Sequence, residues 1–132
     1  MSLNRLGFMA RDQGDYGAAW VLFEESLAIF RELGNKLGIA QNLEGLAAVA
    51  VAQAQSERAA RLFGAAEGLR EVIGAPLPSA DRAEHDRSVA AVRTALGEEA
   101  FAAAWAEGRA ISLEQAVEYA LEGGDAFSGE AK

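Results

Sequence analysis

Apolar side chains recur along this chain at helical spacing, and they do so twice in the same order. Leu3, Leu6, Gly7 and Ala10 are followed by Ala19 and Phe23, and Leu43, Leu46, Ala47 and Ala50 are followed by Ala59 and Phe63. Leu3 and Leu43, Leu6 and Leu46, Ala19 and Ala59, and Phe23 and Phe63 each stand 40 positions apart. Residues three, four or seven apart share one face of an α-helix, so each copy reads as a helical hairpin and the shared offset as an internal repeat. Gly7, Ala19, Ala47 and Ala59 are small where two helices must approach. Leu6, Phe23, Leu46 and Phe63 are large enough to fill the space beside them. One hairpin cannot cover its own apolar face, so hairpins of this kind stack.

Polar and glycine-containing stretches place the breaks. Gly14 suits the left-handed conformation that ends a helix, and Asp15 can cap the next one. The equivalent turn of the second hairpin falls at Gln53-Ala54-Gln55-Ser56, with Ser56 as the expected cap. Gly34-Asn35-Lys36 separates the hairpins. The pattern predicts helices over 2–12, 16–33, 37–53 and 57–73. Gly74-Ala75-Pro76-Leu77-Pro78 is the clearest interruption, since two prolines this close cannot continue a helix. Beyond it, Ser79 is the expected cap of a helix over 80–96, with Val89, Val92 and Leu96 along one face. Gly97 ends it, and a helix over 98–108 carries Phe101 and Trp105 one turn apart. Ser112-Leu113-Glu114-Gln115 forms a capping box that opens a last helix to 122. Residues 123–132 read as a flexible tail. The fold class is therefore all-α: about two hairpins over 1–74, closed by about three helices over 79–122, in a single domain.

Composition narrows the functions open to such a chain. Its 132 residues suit one domain that buries about two-thirds of its unfolded surface. Hydrophobic residues make up 51% and are mostly Ala and Leu, which favour helix. The net charge is −8, from 12 basic against 20 acidic residues, with no basic cluster. That balance argues against direct nucleic-acid binding and against an anionic membrane surface. The apolar run over 46–54 is far shorter than the roughly 20 residues of a membrane span, and no signal peptide is visible. Cysteine is absent, which removes disulfides and thiolate chemistry and fits a cytoplasmic location. The helical pattern is already under way at the start of the chain, so a piece of a longer protein is expected.

The two segments resemble the tetratricopeptide repeat, whose pattern is W-x2-L-G-x2-Y, then A-x3-F, then P, over roughly 34 residues. Leu6-Gly7, Gly14-Asp15-Tyr16, Ala19 and Phe23 match it, and Leu46, Ala59 and Phe63 match it again. Leu3 and Ala10 replace aromatic positions, Ala47 replaces the glycine, and the closing proline is missing from both copies. A second resemblance runs from Glu57-Arg58-Ala59-Ala60-Arg61-Leu62-Phe63-Gly64-Ala65-Ala66-Glu67 through Gly74-Ala75-Pro76-Leu77-Pro78. It continues in Leu96-Gly97-Glu98-Glu99-Ala100-Phe101, Trp105, Gly108-Arg109 and Leu113-Glu114-Gln115-Ala116-Val117. These stretches are similar to the C-terminal region of bacterial multi-domain ATPase-type regulators, including LuxR-type transcriptional regulators and some adenylate or guanylate cyclases. The resemblance implies that catalytic and DNA-binding parts lie outside this chain.

No constellation for catalysis emerges. His85, the single histidine, stands in Glu84-His85-Asp86, but sequence neighbours diverge on a helix and one histidine makes no typical zinc site. It reads as a solvated surface residue. Glu24-Glu25 and Glu98-Glu99 diverge in the same way and read as solvated faces or, at Glu98-Glu99, as acids helping a helix N-terminus. Phosphate-loop, G-x-S-x-G and H-E-x-x-H patterns are absent. Gly64 and Gly68 share a helix face and are expected to let the helix after Ser79 pack closely. Trp20, Trp105 and Tyr119 are expected in the core. No catalytic residue, cofactor or metal site is assigned.

The resemblance implies where contacts would form. The first helix of each hairpin lines a concave face in tetratricopeptide arrays, which would present Asn4, Phe8, Arg11 and Asp12 from one copy and Glu44, Ala48, Val51 and Ala52 from the next. The second set is small and apolar, unlike a polar clamp for a peptide carboxylate, and suits packing against another helix. The expected function is a non-catalytic protein-protein interaction or scaffolding module, a C-terminal piece of a larger signalling or transcriptional regulator. Its expected partners are proteins, either other domains of a parent chain or a second copy. A self-associating helical domain is the alternative, and a small-molecule sensor a remote one.

Overall fold

The computed structural model describes residues 3–121. Among these residues seven α-helices follow one another: α1 (Leu3–Asp12), α2 (Tyr16–Leu33), α3 (Lys36–Ala52), α4 (Ser56–Ile73), α5 (Ser79–Leu96), α6 (Glu98–Ala110) and α7 (Leu113–Leu121). The all-α expectation holds, with boundaries within about two residues of those read from the pattern. The expected tail over 123–132 lies outside the described residues.

Helices α1 and α2 form the first hairpin, and α3 and α4 the second. Phe23, fully buried, is the hinge of their stacking. A Cβ on Gly7 would stand 3.0 Å from the Phe23 ring, and one on Gly45 would overlap it. The sequence pattern picked out Gly7 and missed Gly45. Leu27, Ile39, Leu43, Leu46, Val49 and Leu62 complete a continuous core around this ring. Burying side chains of this size stabilises by about 1.5–3 kcal/mol each, before the entropy of ordering them.

The 40-residue offset extends to the backbone. Gly14 and Ala54 both adopt positive φ, at 82° and 62°, and the helix-ending glycines Gly34 and Gly74 sit at 69° and 68°. Ala54 therefore holds, with a side chain, the left-handed turn that Gly14 makes without one. The caps differ between the copies. Asp15 Oδ1 accepts from the Ala18 N–H at 3.2 Å, whereas Gln55 caps α4 with no side-chain bond. Ser56 and Ser79, expected as caps, are instead the first residues of their helices, preceded by Gln55 and Pro78. The capping box at α7 forms as expected: Ser112 Oγ accepts from the Gln115 N–H, and Gln115 Oε1 from the Ser112 N–H.

Helix α6 packs along α4 at backbone contact. A Cβ on Gly64 would overlap the Trp105 carbonyl oxygen, and one on Gly108 would overlap that of Arg61. The close approach expected for the helix after Ser79 thus belongs to α6, whose small residues Ala104 and Gly108 are buried against α4, whereas Ala91 and Ala95 of α5 face outward. Helix α7 closes the end of the hairpins. Tyr119 is buried, and the Arg58 guanidinium lies 4.4 Å over Trp20 and 5.1 Å over Tyr119. Arg58 also donates to the Ala120 carbonyl at 3.2 Å, so one cation joins α2, α4 and α7. Of the aromatics expected in the core, Tyr119 is fully inside, while Trp20 and Trp105 are half-buried against it.

Candidate functional site: the concave wall and the helix across it

Helices α1 and α3 stand side by side and form a wall, and α5 runs across that wall. Between them lies a cavity of about 490 Å³. From α1 it is lined by Arg5, Phe8, Arg11 and Asp12, and from α3 by Gln41, Glu44 and Ala48. Phe63 and Arg70 of α4 form its floor, and α5 roofs it with Asp81, Glu84, His85 and Ser88.

The expected contact residues fall on this wall in part. Phe8, Arg11, Asp12, Glu44 and Ala48 meet around one cavity, whereas Val51 is half-buried against the core rather than on the lining. Ala52 is exposed at the end of α3. Asn4 belongs to α1, and its side chain lies outside the described residues. Phe8 is fixed edge-on against Phe23, with ring centroids 4.9 Å apart, so its position follows from the core.

The charged residues of the wall have partners within the chain. Arg70 Nε and Nη2 donate to the two Glu44 carboxylate oxygens at 2.6 and 3.0 Å, and both side chains are largely buried. Such a bidentate pair is rigid and directional. Arg70 Nη1 also donates to the Ala75 carbonyl at 3.0 Å, which ties the proline-rich connection to α3 and α4. Glu44 is therefore a structural carboxylate. Arg11 Nη2 donates to Asp12 Oδ1 at 2.8 Å and to Glu84 Oε2 at 2.6 Å, so it links α1 to α5.

His85 is a correction to the sequence reading. It is half-buried rather than fully solvated, and its ring meets Phe63 edge-on at 5.1 Å. Three cavities share it. The signal was available: His85 shares a helical face with Val89 and Val92. Arg5, Gln41 and Arg70 also line the cavity without having been singled out, and Phe63 and Leu77, read as a repeat position and a break, line it too. Gln41 lies one turn before Glu44 and was legible from that spacing. The Glu44–Arg70 pairing joins two helices and leaves no local trace.

A second charged group lies where α4 meets α6. Arg109 donates to Glu67 at 2.9 Å and to Glu71 at 2.6 Å, and Trp105 Nε1 donates to the same Glu67 oxygen at 2.8 Å. The hydrogen bond from Arg109, with its charge, holds the Glu71 carboxyl below its ordinary value. Among the described residues, no group of three or more His, Asp or Glu converges in a way that could hold a metal ion. No described helix is long and apolar enough to cross a membrane.

A sequence profile described as tetratricopeptide repeat matches residues 1–71. The chain belongs to the tetratricopeptide repeat family. Its two repeat hairpins are the α1–α2 and α3–α4 pairs, and the wall is made by the first helix of each. Proteins bearing the name HTH-type transcriptional regulator, from Mycobacterium bovis and Mycobacterium tuberculosis, are 37% identical to it over 98 residues. That stretch is 74% of this chain and 11% of each relative, so the chain matches only a small part of their length. A match of 98 residues also runs beyond the repeats, into the helices after Pro78. No solved structure matches the chain.

Proposed function

We propose that this chain is a non-catalytic protein-protein interaction and scaffolding module of a larger cytoplasmic signalling or transcriptional regulator. Residues 1–122 act as one unit, with the repeats over 1–74 and a helical cap over 79–122. The observation that carries this reading is the wall of α1 and α3, which already receives a helix. Ala48, one turn from the paired Glu44, leaves room there for a helix backbone. Family membership supports the interaction role, and the named relatives support a regulator as its setting.

The test is calorimetric titration of the chain with the remaining domains encoded by its own reading frame. Binding is expected, and Ala48→Glu is expected to remove it while the helical circular-dichroism signal is kept. Binding that survives both Ala48→Glu and Arg11→Glu would place the interaction elsewhere.

Self-association is the second reading, favoured by apolar side chains at the surface of the first hairpin and of α4. Val21, Ile29 and Leu33 on α2 and Val72 on α4 are 48–78% exposed, and such patches tend to find partners. Light scattering decides it: a monomer at every concentration up to the millimolar range removes this reading.

A further inference from the structure

We propose that α5 is a displaceable internal ligand of the wall, and that the external partner which displaces it is an amphipathic helix carrying a carboxylate for Arg11. This deepens the proposed function and rests on the same wall. Helix α5 has 18 residues, yet Val92 alone among them is fully buried. Val89, Val92 and Leu96 hold its second half to the core. Its first half is held by polar and edge contacts: Glu84 on Arg11 and His85 on Phe63. The Arg11 side chain is 14% exposed but that of Glu84 is 58% exposed, so the pair is open to water on its Glu84 side and partly screened by salt.

The connections at both ends lie outside regular helix, and Arg70 anchors the first of them only as far as Ala75 and Pro76. Gly74 adopts a left-handed φ of 68°, and the segment that follows has no helix until Ser79. At the far end Gly97 sits at φ 86°. Helix α6 is fixed to α4 independently, through Gly64 and Gly108. Opening the first half of α5, N-terminal to Val89, therefore leaves the hairpins, the second half of α5 and α6 intact.

The geometry also defines what would replace it. Between α5 and the wall lies the cavity of about 490 Å³, bordered by Phe8, Ala48 and Phe63. An external helix with a carboxylate opposite Arg11, an aromatic or apolar residue against Phe63, and a larger side chain where α5 has Ser88 makes the same contacts and fills this space. Filling it adds apolar burial that α5 does not have.

The probe is a fluorescein-labelled synthetic peptide with the sequence of residues 79–96 and leucine at the Ser88 position. The protein is the full chain, and the readouts are fluorescence anisotropy and hydrogen exchange. In the unaltered chain, amides of 79–88 are expected to exchange at least tenfold faster than those of α6. Glu84→Arg places a cation against Arg11, so α5 is expected to open further and the probe to bind at least tenfold more tightly. Arg11→Glu opens α5 as well but removes the cation from the wall, so faster exchange with no gain in binding is expected. The double variant Arg11→Glu/Glu84→Arg restores a pair and is expected to return α5 exchange toward that of the unaltered chain. Unchanged exchange in α4 and α6 controls for folding. Equal probe affinity of Glu84→Arg and the unaltered chain overturns the proposal, as do amides of 79–88 that exchange as slowly as those of α6. Failure here with partner binding still lost in Ala48→Glu leaves the interaction reading standing and removes only the displacement.

Discussion

Helices α5 and α6 are neighbours in sequence and both lie against α4, yet they are held in different ways. The shorter α6, of 13 residues, places Phe101, Ala104 and Gly108 into the core and brings its backbone against that of α4. The longer α5, of 18 residues, buries only Val92 completely and meets the wall through a half-exposed ion pair and one aromatic edge. Length and helical propensity do not separate them. Small residues at the crossing do, because dispersion and apolar burial need close approach, and only glycine or alanine permits backbones to touch. A rigid closing helix and a loosely seated one are thereby built from adjacent segments.

The largest effect should come from filling that crossing. Gly108→Ala puts a methyl group onto the Arg61 carbonyl and the Ala65 amide, where main chain cannot move aside cheaply. The expected loss is about 1–3 kcal/mol of unfolding free energy, read from the urea midpoint. The matching change on α5, Ala90→Leu at an exposed position, should stay within about 0.5 kcal/mol. Equal losses at the two sites would erase the distinction drawn between the helices.

Next in size is Val92→Ala. It removes two carbons from the one buried anchor of α5, for a cost of about 1.5 kcal/mol from lost burial. If α5 is attached as described, hydrogen exchange should speed up across 79–96 and remain slow in α4 and α6. Uniform acceleration through all helices would mean that α5 is part of one cooperative core.

The sequence foretold this contrast only halfway. The hairpins were legible because apolar residues repeat at one offset, and Phe23 and Phe63 are both buried where that offset places them. The stripe of Val89, Val92 and Leu96 was legible for the same reason. The partner of Gly64 was not. A glycine pair shows that something approaches closely, but only the matching stripe of Ala104 and Gly108 says which helix does. The wall was legible through the family resemblance, which brought Phe8, Arg11, Asp12, Glu44 and Ala48 together around one cavity. Its roof was not, since Glu84–Arg11 spans most of the chain and a charged neighbourhood masked the seat of His85 on Phe63.

The smallest expected effect is pH dependence at the rim of the α4–α6 contact. Arg109 donates to Glu71, so the Glu71 carboxyl is held below its ordinary value in the folded chain. A group whose folded value is depressed binds protons more readily when unfolded. Its contribution is therefore fully present above the unfolded value and fades as pH falls through the folded one. The group lies at the surface, so the contribution is small and screened by salt. Carbon-detected titration of the Glu71 carboxyl should show the depressed midpoint, and Arg109→Gln should return it toward the ordinary range. The same variant should leave the exchange of α5 unchanged, because Glu71 and Arg109 hold α6 alone. An altered α5 in that variant would show that the two helices are coupled through the rim they share around His85 and Trp105.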